Sequence, residues 1–313
     1  MAQSPAQSPA QAAWPELSYA AWKDTAATLQ LWTQIVGKIR LARTPWLNHS
    51  WHVTLYATAR GLTTGPIPDG ARTFQIDFDF IDHILWLRTS DGQFRQLMLR
   101  PMSVAEFYAN MMIALGELGL ATKINTMPCE LAQCEAFERD TAHASYDADA
   151  VNRFWRVLLA ANRVFAHFRT GFLGKSSPVH FFWGSFDLAV TRFSGRRAPE
   201  RVGADPITRE AYSHEVISAG WWPGGGDIAG PAFYAYAAPE PEGFTKQPVR
   251  PEKAFYHPEL KEFLLMYDDL RQASSPRAEL LDFLQSTYEA GANTGNWNRS
   301  ELERPSIRGY SFG

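Results

Sequence analysis

The chain has 313 residues, of which 45% are hydrophobic, 13% aromatic and 20% charged. This composition excludes global disorder and suits one large globular domain or two smaller ones. The formal net charge of −3 excludes sequence-independent binding of nucleic acid through a basic surface, and no apolar run approaches the ~18 residues of a membrane span.

The N-terminal segment and the cysteines carry no positive signal for any location, so a cytoplasmic location follows only by default. Two copies of Ala-Gln-Ser-Pro follow Met1, without the basic and apolar regions of a secretory signal, so we expect residues 1–13 to be a disordered tail. Cys129 and Cys134 are the only cysteines, and a single C-x4-C pair favours two reduced thiols over a zinc site or a disulfide. We therefore predict a cytoplasmic protein.

The first predicted elements are one helix and four strands. Apolar residues recur at three- and four-residue spacing over 19–43, which predicts an amphipathic helix. Strict alternation predicts strands at 51–60 and 73–80. Asp91-Gly92 predicts the turn of a hairpin, with its strands at about 83–89 and 93–99.

A second helix follows this hairpin, and an irregular region comes after it. Ser103 and Glu106 form a capping box at the predicted start, and Gly119 suits the position just after the end. Residues 121–127 are expected to form one more strand. The stretch 128–146 has no regular period and predicts the boundary between two halves.

The second half repeats this alternation of helices and strands. Periodicity predicts helices at about 147–170 and 276–290, the latter with Ser275 and Pro276 at its start. Strands are expected at 179–194, 213–221, 232–237 and 262–267.

These elements predict an α+β fold with a mostly antiparallel sheet and flanking helices, because strands come in runs and not in strict β-α-β alternation. Both halves fit the order α-β-β-β-α, either as an internal repeat or by chance. The predicted organisation is a first half at 14–127, a linker at 128–146, a second half at 147–295 and a C-terminal tail at 296–313.

Candidate functional residues begin in the predicted strand 51–60. His52 shares one face of this strand with Tyr56 and Arg60. These side chains line a polar pocket if a second layer covers that face, and they are ordinary surface residues if it is exposed.

A second set lies in the segment SSPVHFFWGSFDLAVTRFSGRR, where charges interrupt an apolar run. Asp187 needs a polar partner there, either as a catalytic group or as a brace for a neighbouring strand. Alternation puts Trp183 on the face of Asp187 and His180 on the face of Arg192. Arg192, Arg196 and Arg197 suit an anion clamp, and a solvated turn is the other interpretation.

The third set is Tyr212, Ser213, His214 and Glu215. His214 and Glu215 are adjacent, so on a strand they point to opposite faces. We predict His52, His180, Asp187, His214 and Glu215 as catalytic groups. As substrate-binding groups we predict two arginines and three aromatic residues: Arg60, Arg192, Trp183, Trp222 and Tyr234.

Four long segments resemble a bacterial family catalogued as a domain of unknown function: LWTQIVGKIRLARTPWLNHSWHVTLYATARGLTT, RTFQIDFDFIDH, SPVHFFWGSFDLAVTRFSGRRAP and REAYSHEVISAGWWPGGG. The resemblance covers Trp14 to about Trp297. It implies a single full-length family unit and brings no activity, cofactor or catalytic residue.

The leading functional hypothesis is a soluble enzyme that acts on a small polar or anionic molecule. Its site would combine histidine, acidic and arginine groups within aromatic walls, with or without a metal. The alternative is a non-catalytic protein that binds a small molecule in an aromatic pocket. A third hypothesis is a structural protein that dimerises through an aromatic face. No nucleic-acid or membrane partner is expected, and the sequence indicates no particular cofactor or oligomeric state.

Overall fold

The computed structural model describes residues 13–131, 133–225, 228 and 230–305. Most of the predicted N-terminal tail, residues 1–12, lies outside this range, as do residues 306–313 of the predicted C-terminal tail. No helix in the described part is long and apolar enough to cross a membrane.

Seven α-helices and two antiparallel sheets of six strands each make up the described residues, which confirms the predicted α+β class. The helices are α1 (Tyr19–Arg43), α2 (Val104–Glu117), α3 (Ala148–Thr170), α4 (Pro206–Ala211), α5 (Tyr267–Arg271), α6 (Pro276–Thr294) and α7 (Arg299–Leu302).

Strands β1 to β6 form the first sheet, and β7 to β12 form the second. The first set is β1 (Tyr56–Ala57), β2 (Gly61–Thr63), β3 (Ile67–Asp69), β4 (Arg72–Asp79), β5 (Ile84–Thr89) and β6 (Phe94–Met98). The second set is β7 (His180–Phe182), β8 (Asp187–Arg197), β9 (His214–Trp222), β10 (Ala232–Ala238), β11 (Phe255–His257) and β12 (Glu262–Met266).

The chain divides into two compact units. The first unit comprises Leu17–Trp155 and His180–Asp187. The second comprises Arg156–Val179, Leu188–Gly313 and the N-terminal residues up to Glu16. This division falls within helix α3, whereas the sequence places its linker at 128–146. The predicted domain boundaries and the internal repeat stay predictions.

In the first unit, the sheet has the strand order β1-β2-β4-β5-β6, with β3 also paired to β4. Phe74, Ile76 and Phe78 alternate with half-buried polar residues along β4, so one face of the sheet is buried. The ring of Trp32 on α1 stacks on Phe107 at 4.6 Å and on Tyr146 at 5.5 Å. The unit's core therefore lies among α1, α2 and the segment that ends at Tyr146.

In the second unit, five strands follow the order β11-β12-β10-β9-β8. Phe233 on β10 is fully buried, and its ring contacts Trp14 at 6.2 Å and Tyr267 at 6.4 Å. Gly291 on α6 lies against Ile217 of β9, where a Cβ atom would come within 2.8 Å of the isoleucine side chain. Helix α6 thus packs closely on this sheet.

Most predicted helices and the hairpin are confirmed. Helix α1 has the predicted bounds, and α3 covers almost the whole range expected for it. Ser103 caps α2 by accepting a hydrogen bond from the Glu106 amide at 3.1 Å. Gly119 follows this helix with φ +69°, a conformation that favours glycine. Helix α6 continues four residues beyond the predicted end and stops at Thr294.

Three predicted strands are wrong wholly or in part. Only Tyr56–Ala57 of the range 51–60 is a strand, because a 3₁₀ turn and a bend occupy the residues before it. Residues 121–127 form no strand. A turn with Phe186 at φ +61° divides 179–194 into β7 and β8, so the faces predicted for one continuous strand do not apply.

Candidate functional site

The histidines of the first unit lie around a strained turn. His49 and Ser50 both have left-handed backbone conformations, with φ 57° and 58°, at a position where glycine and asparagine are the usual residues. His52 follows this turn and is 2% exposed, and its Nδ1 accepts a hydrogen bond from the Leu47 amide at 3.2 Å. The turn therefore carries His52 inward, where the sequence predicts a strand.

His180 occupies an aromatic enclosure in the same unit. Its ring is fully buried and meets Trp51, Tyr56 and Phe182 edge to face, at centroid distances of 5.5 to 5.7 Å. Tyr56 also lies beneath the guanidinium of Arg40 at 5.3 Å. Rings thus surround His180 and connect it to a buried cation.

Arg40, which no pattern in the sequence indicates, lies between the His52 carbonyl and the Tyr56 ring. Its Nε donates to the His52 carbonyl at 2.7 Å, and a second nitrogen donates to the Thr64 carbonyl. Burial lowers the pKa of Arg40, an effect that Tyr56 partly offsets. We call Arg40, His52, Tyr56 and His180 the histidine–arginine cluster. Three of these four side chains are buried, so the cluster is largely closed to solvent.

The other predicted residues of this unit have structural partners. Trp183 donates from its indole to the Val53 carbonyl at 2.6 Å and lies against Gly37 of α1. Asp187 accepts a hydrogen bond from Ser185 at 2.5 Å. Arg60 is half exposed and forms ion pairs with Asp79 at 2.5 Å and Asp82 at 2.6 Å.

In the second unit, the predicted residues Arg192 and Glu215 contact neighbouring side chains. Arg192 is 2% exposed, and its guanidinium lies 3.4 to 4.9 Å from the centroids of three aromatic rings. Burial lowers the pKa of Arg192 to about 9, so it stays charged at pH 7. Glu215 accepts hydrogen bonds from Ser194 at 2.8 Å and from Arg196 at 2.7 and 2.9 Å.

Two predicted aromatic residues lie at different positions on this sheet. Trp222 is half-buried at the end of β9. The ring of Tyr234 stacks on Tyr236 at 6.2 Å and covers Gly220, where a Cβ atom would come within 2.3 Å of the tyrosine hydroxyl. Glycine at position 220 therefore makes room for Tyr234.

An open cleft of about 540 Å³ lies beside the start of β9 in the second unit. Helix α4, which Asp205 caps, forms one wall. The end of β8 forms another, where the Ala198 amide donates to the Ser213 carbonyl at 3.1 Å. The lining residues are Arg197, Ala198, Glu200, Pro206, Arg209, Glu210, Tyr212 and Ser213.

A serine hydroxyl and a histidine ring lie side by side at this cleft. Ser213 Oγ lies 3.0 Å from His214 Nδ1, which is hydrogen-bond distance. Burial lowers the pKa of His214, and the positive charges of Lys175 and Arg197 lower it further. The imidazole is therefore neutral at pH 7, and its Nδ1 can accept the serine proton.

The cleft lining carries two arginines, Arg197 and Arg209, and two glutamates, Glu200 and Glu210. Arg209 forms an ion pair with Glu200. In the part of the chain that the structure describes, no carboxylate lies within 4.0 Å of the Arg197 guanidinium. The hydroxyl of Tyr212 is held by the Tyr236 hydroxyl at 2.9 Å. The cleft thus combines a hydroxyl nucleophile, a neutral base and a cation.

The structure brings the predicted residues together only in part. His52 and His180 are connected only indirectly, since Arg40 binds the His52 carbonyl and lies over the Tyr56 ring that contacts His180. His214 lies beside the cleft. Glu215 is engaged by Arg196, although it follows His214 directly in sequence. Ser213 belonged to the third predicted set but was given no role. The catalytic and binding roles assigned from the sequence stay predictions.

A metal centre finds no support in the geometry. Within residues 13–131, 133–225, 228 and 230–305, no three side chains of His, Cys, Asp or Glu are grouped so that they could hold a metal ion. We therefore do not propose that His52, His180 and His214 ligate a metal together.

Comparison with known proteins gives one match. No curated protein and no solved structure matches the chain. The sequence predicts membership of a family without an assigned activity, and a family model covers nearly the whole chain. The chain belongs to DUF5996, a family of unknown function whose model matches residues 14–304.

Proposed function

We propose that the protein is an enzyme that transfers an acyl group from a small anionic substrate bound in the cleft of the second unit. The observation that carries this proposal is the distance of 3.0 Å between Ser213 Oγ and His214 Nδ1 at the wall of a cleft of about 540 Å³. A serine hydroxyl is a weak nucleophile alone and becomes effective when an adjacent base removes its proton.

The reaction has two half-steps. Ser213 Oγ forms a bond to the substrate carbonyl carbon while its proton passes to His214 Nδ1. The bond from carbon to the leaving group then breaks, and the same proton moves to that group. Water releases the acyl group from Ser213 by the reverse sequence, with His214 again as the base.

Arg197 supports an anionic substrate. It lines the cleft and has no ion-pair partner among the described residues, whereas the charge of Arg209 is balanced by Glu200. A guanidinium can hold a carboxylate through two parallel hydrogen bonds. The cleft volume is in the range of about 300–1,000 Å³ typical of small-molecule sites, which favours a small substrate.

Hydrolysis of p-nitrophenyl esters tests the proposal. The wild-type protein should cleave an ester with a carboxylate on its acyl chain faster than the neutral p-nitrophenyl acetate, and Arg197→Ala should abolish this preference. Ser213→Ala should remove activity, and His214→Gln should lower kcat by about 10²–10⁴-fold. Ser300→Ala, which changes an exposed serine elsewhere, is the matched control. Full activity of Ser213→Ala would contradict the proposal.

The second candidate function is non-catalytic binding of a small molecule at the histidine–arginine cluster. The enclosure of His180 by three rings beside the Arg40 cation favours it, and because these side chains are largely closed to solvent, a ligand enters only when the rings move apart. A ligand with an aromatic ring and a carboxylate would raise the melting temperature of the wild-type protein and not of Arg40→Met. No shift with any such ligand would remove this candidate.

We place the enzyme in the bacterial cytoplasm. Cys129 and Cys134 are both free thiols, as expected of a protein in a reducing compartment. Localisation of a tagged full-length chain by cell fractionation tests this placement, and recovery in a secreted fraction would contradict it.

A further inference from the structure

The first sheet has a second face that the core does not cover. Along β4 and β5, buried residues alternate with residues that are half-buried or exposed. Strand register pairs Asp77 with Trp86 and Trp86 with Gln96, and it pairs Arg88 with Gln75 on one side and Phe94 on the other. These six residues, in two rows of three across β4, β5 and β6, therefore share the outer face.

Aromatic side chains lie on this outer face, where polar ones are the rule. Phe94 is 56% exposed and Met98 is 51% exposed, while Trp86 is half-buried between them. The ring centroids of Trp86 and Phe94 are 5.9 Å apart, and the ring planes are inclined at 56° to each other. We call Trp86 and Phe94 the aromatic platform. Apolar side chains that are exposed side by side, with polar neighbours, are typical of a ligand or partner site.

The polar groups beside the platform are held in place by one another. Gln75 donates to both oxygens of Asp77, at 2.8 and 3.0 Å, and Arg88 donates to Asp77 at 3.1 Å. The Arg88 guanidinium also lies 4.4 Å from the Trp86 ring centroid. This mutual bonding gives amide, carboxylate and guanidinium groups fixed positions near the rings.

A hollow of about 340 Å³ lies between the platform and the β5–β6 turn. Trp86, Arg88 and Phe94 line it from the sheet, and Thr89, Gly92 and Gln93 line it from the turn. Arg88 is the one charged side chain in this lining, and its charge is balanced by Asp77. An electrically neutral ligand with several hydrogen-bonding groups suits such a surface better than an anion.

We propose that the aromatic platform binds a pyranose ring of a neutral carbohydrate. The apolar C–H face of the sugar lies on the exposed Phe94 ring, because a rigid aromatic ring offers a large contact area at a low entropy cost. The Trp86 ring, inclined at 56° to Phe94, contacts the edge of the same sugar. The sugar hydroxyls take hydrogen bonds from Arg88, Gln93 and Gln96 and donate to Asp77. This site is separate from the cleft of the proposed acyl transfer, so either proposal can fail without the other.

Native electrophoresis of the full-length protein through gels that contain a soluble β-glucan, xylan or starch tests the site. One polysaccharide should retard the wild-type protein, and titration calorimetry with its hexasaccharide should give the affinity. Trp86→Ala and Phe94→Ala should each weaken that affinity at least tenfold. Phe255→Ala, which removes a 42%-exposed aromatic ring from β11, should leave it unchanged.

Three outcomes would overturn this inference. The first is a wild-type protein that none of the polysaccharides retards. The second is retention of wild-type affinity in Phe94→Ala, which is an exposed position where a folding defect is not expected. The third is a dimeric wild-type protein that either platform variant makes monomeric, as measured by light scattering, since a second copy would then be the occupant. Ester hydrolysis should be unaffected by both platform variants.

Discussion

Replacement of Gly37 by alanine tests the packing of Trp183 in the first unit. Gly37 lies in the middle of helix α1, where alanine normally stabilises a helix by about 1 kcal/mol. At this position, however, an added Cβ atom would lie 2.3 Å from two atoms of the Trp183 indole. Two carbon atoms in contact prefer a separation of about 3.5–4.0 Å, so the ring must move by more than 1 Å.

Two costs oppose the gain in helix propensity. Overpacking of a buried site costs about 1–3 kcal/mol. Displacement of the indole also breaks its hydrogen bond to the Val53 carbonyl, which is 2.6 Å long, and an unsatisfied buried carbonyl costs about 1–3 kcal/mol. We therefore expect Gly37→Ala to lower the free energy of unfolding by about 3 kcal/mol.

Urea unfolding followed by circular dichroism measures this change. Gly116→Ala is the matched control, since a Cβ atom at Gly116 in helix α2 would meet nothing within 4 Å, and it should stabilise the protein by about 0.5–1 kcal/mol. Trp183→Phe in the Gly37→Ala background should recover part of the loss. Equal or greater stability of Gly37→Ala would refute the close packing of Trp183 on α1.

Four further predictions concern charges and a helix cap. Burial raises the pKa of Asp79, but hydrogen bonds from Arg60 and two amides outweigh it, so its pKa is lower than usual. The ionised Asp79 carboxylate therefore contributes its full stabilisation of the folded protein above the ordinary pKa of 3.8, and this contribution is lost as the pH falls through the lower pKa of the folded state. Asp79→Asn should flatten this acid dependence of the free energy of unfolding in urea and lower that free energy by about 1–3 kcal/mol. Arg192→Lys should cost about 1–2 kcal/mol in the same assay, because an ammonium group cannot stack on the three rings. Lys175→Ala removes a positive charge near His214, so the pKa of His214 should rise and the acid limb of the pH profile of ester hydrolysis should move to higher pH. An unchanged acid limb would show that Lys175 does not lower the pKa of His214. Ser103→Ala should lower the melting temperature through a loss of about 1 kcal/mol, and no change would argue against its capping bond.

The elements that sequence predicts well are those whose signals are local. Helix α2 begins at a serine cap and ends before a left-handed glycine, and both signals are within its own residues. The hairpin of β5 and β6 has the same property, since Asp91-Gly92 specifies its turn. The fold class follows from such elements together.

The range 51–60 fails because a distant residue determines its conformation. Alternation assigns His52 and Thr54 to one polar face and leaves open whether that face is covered or exposed, and in the structure they are 2% and 0% exposed. Arg40, twelve positions away from His52, binds its carbonyl and replaces the bonds of a strand. A polar residue buried by a tertiary hydrogen bond looks the same in sequence as one that faces water.

The candidate site was predictable only at one point. His214 was among the predicted catalytic residues, and its neighbour Ser213 was visible in the same set. The cleft itself depends on helix α4, which is six residues long and too short to give a clear period. Arg197, Arg209 and Tyr212 meet there through the packing of this helix, so no spacing in the sequence could show it.

Covalent labelling by a fluorophosphonate, followed by mass spectrometry of the intact protein and its peptides, tests most directly whether Ser213 is a nucleophile activated by His214. Serine Oγ bonds to phosphorus as fluoride leaves, and His214 takes the proton. We expect a single adduct on the peptide that contains Ser213, formed at least 100-fold more slowly in His214→Gln. No adduct on Ser213, or an equal rate in His214→Gln, would contradict it.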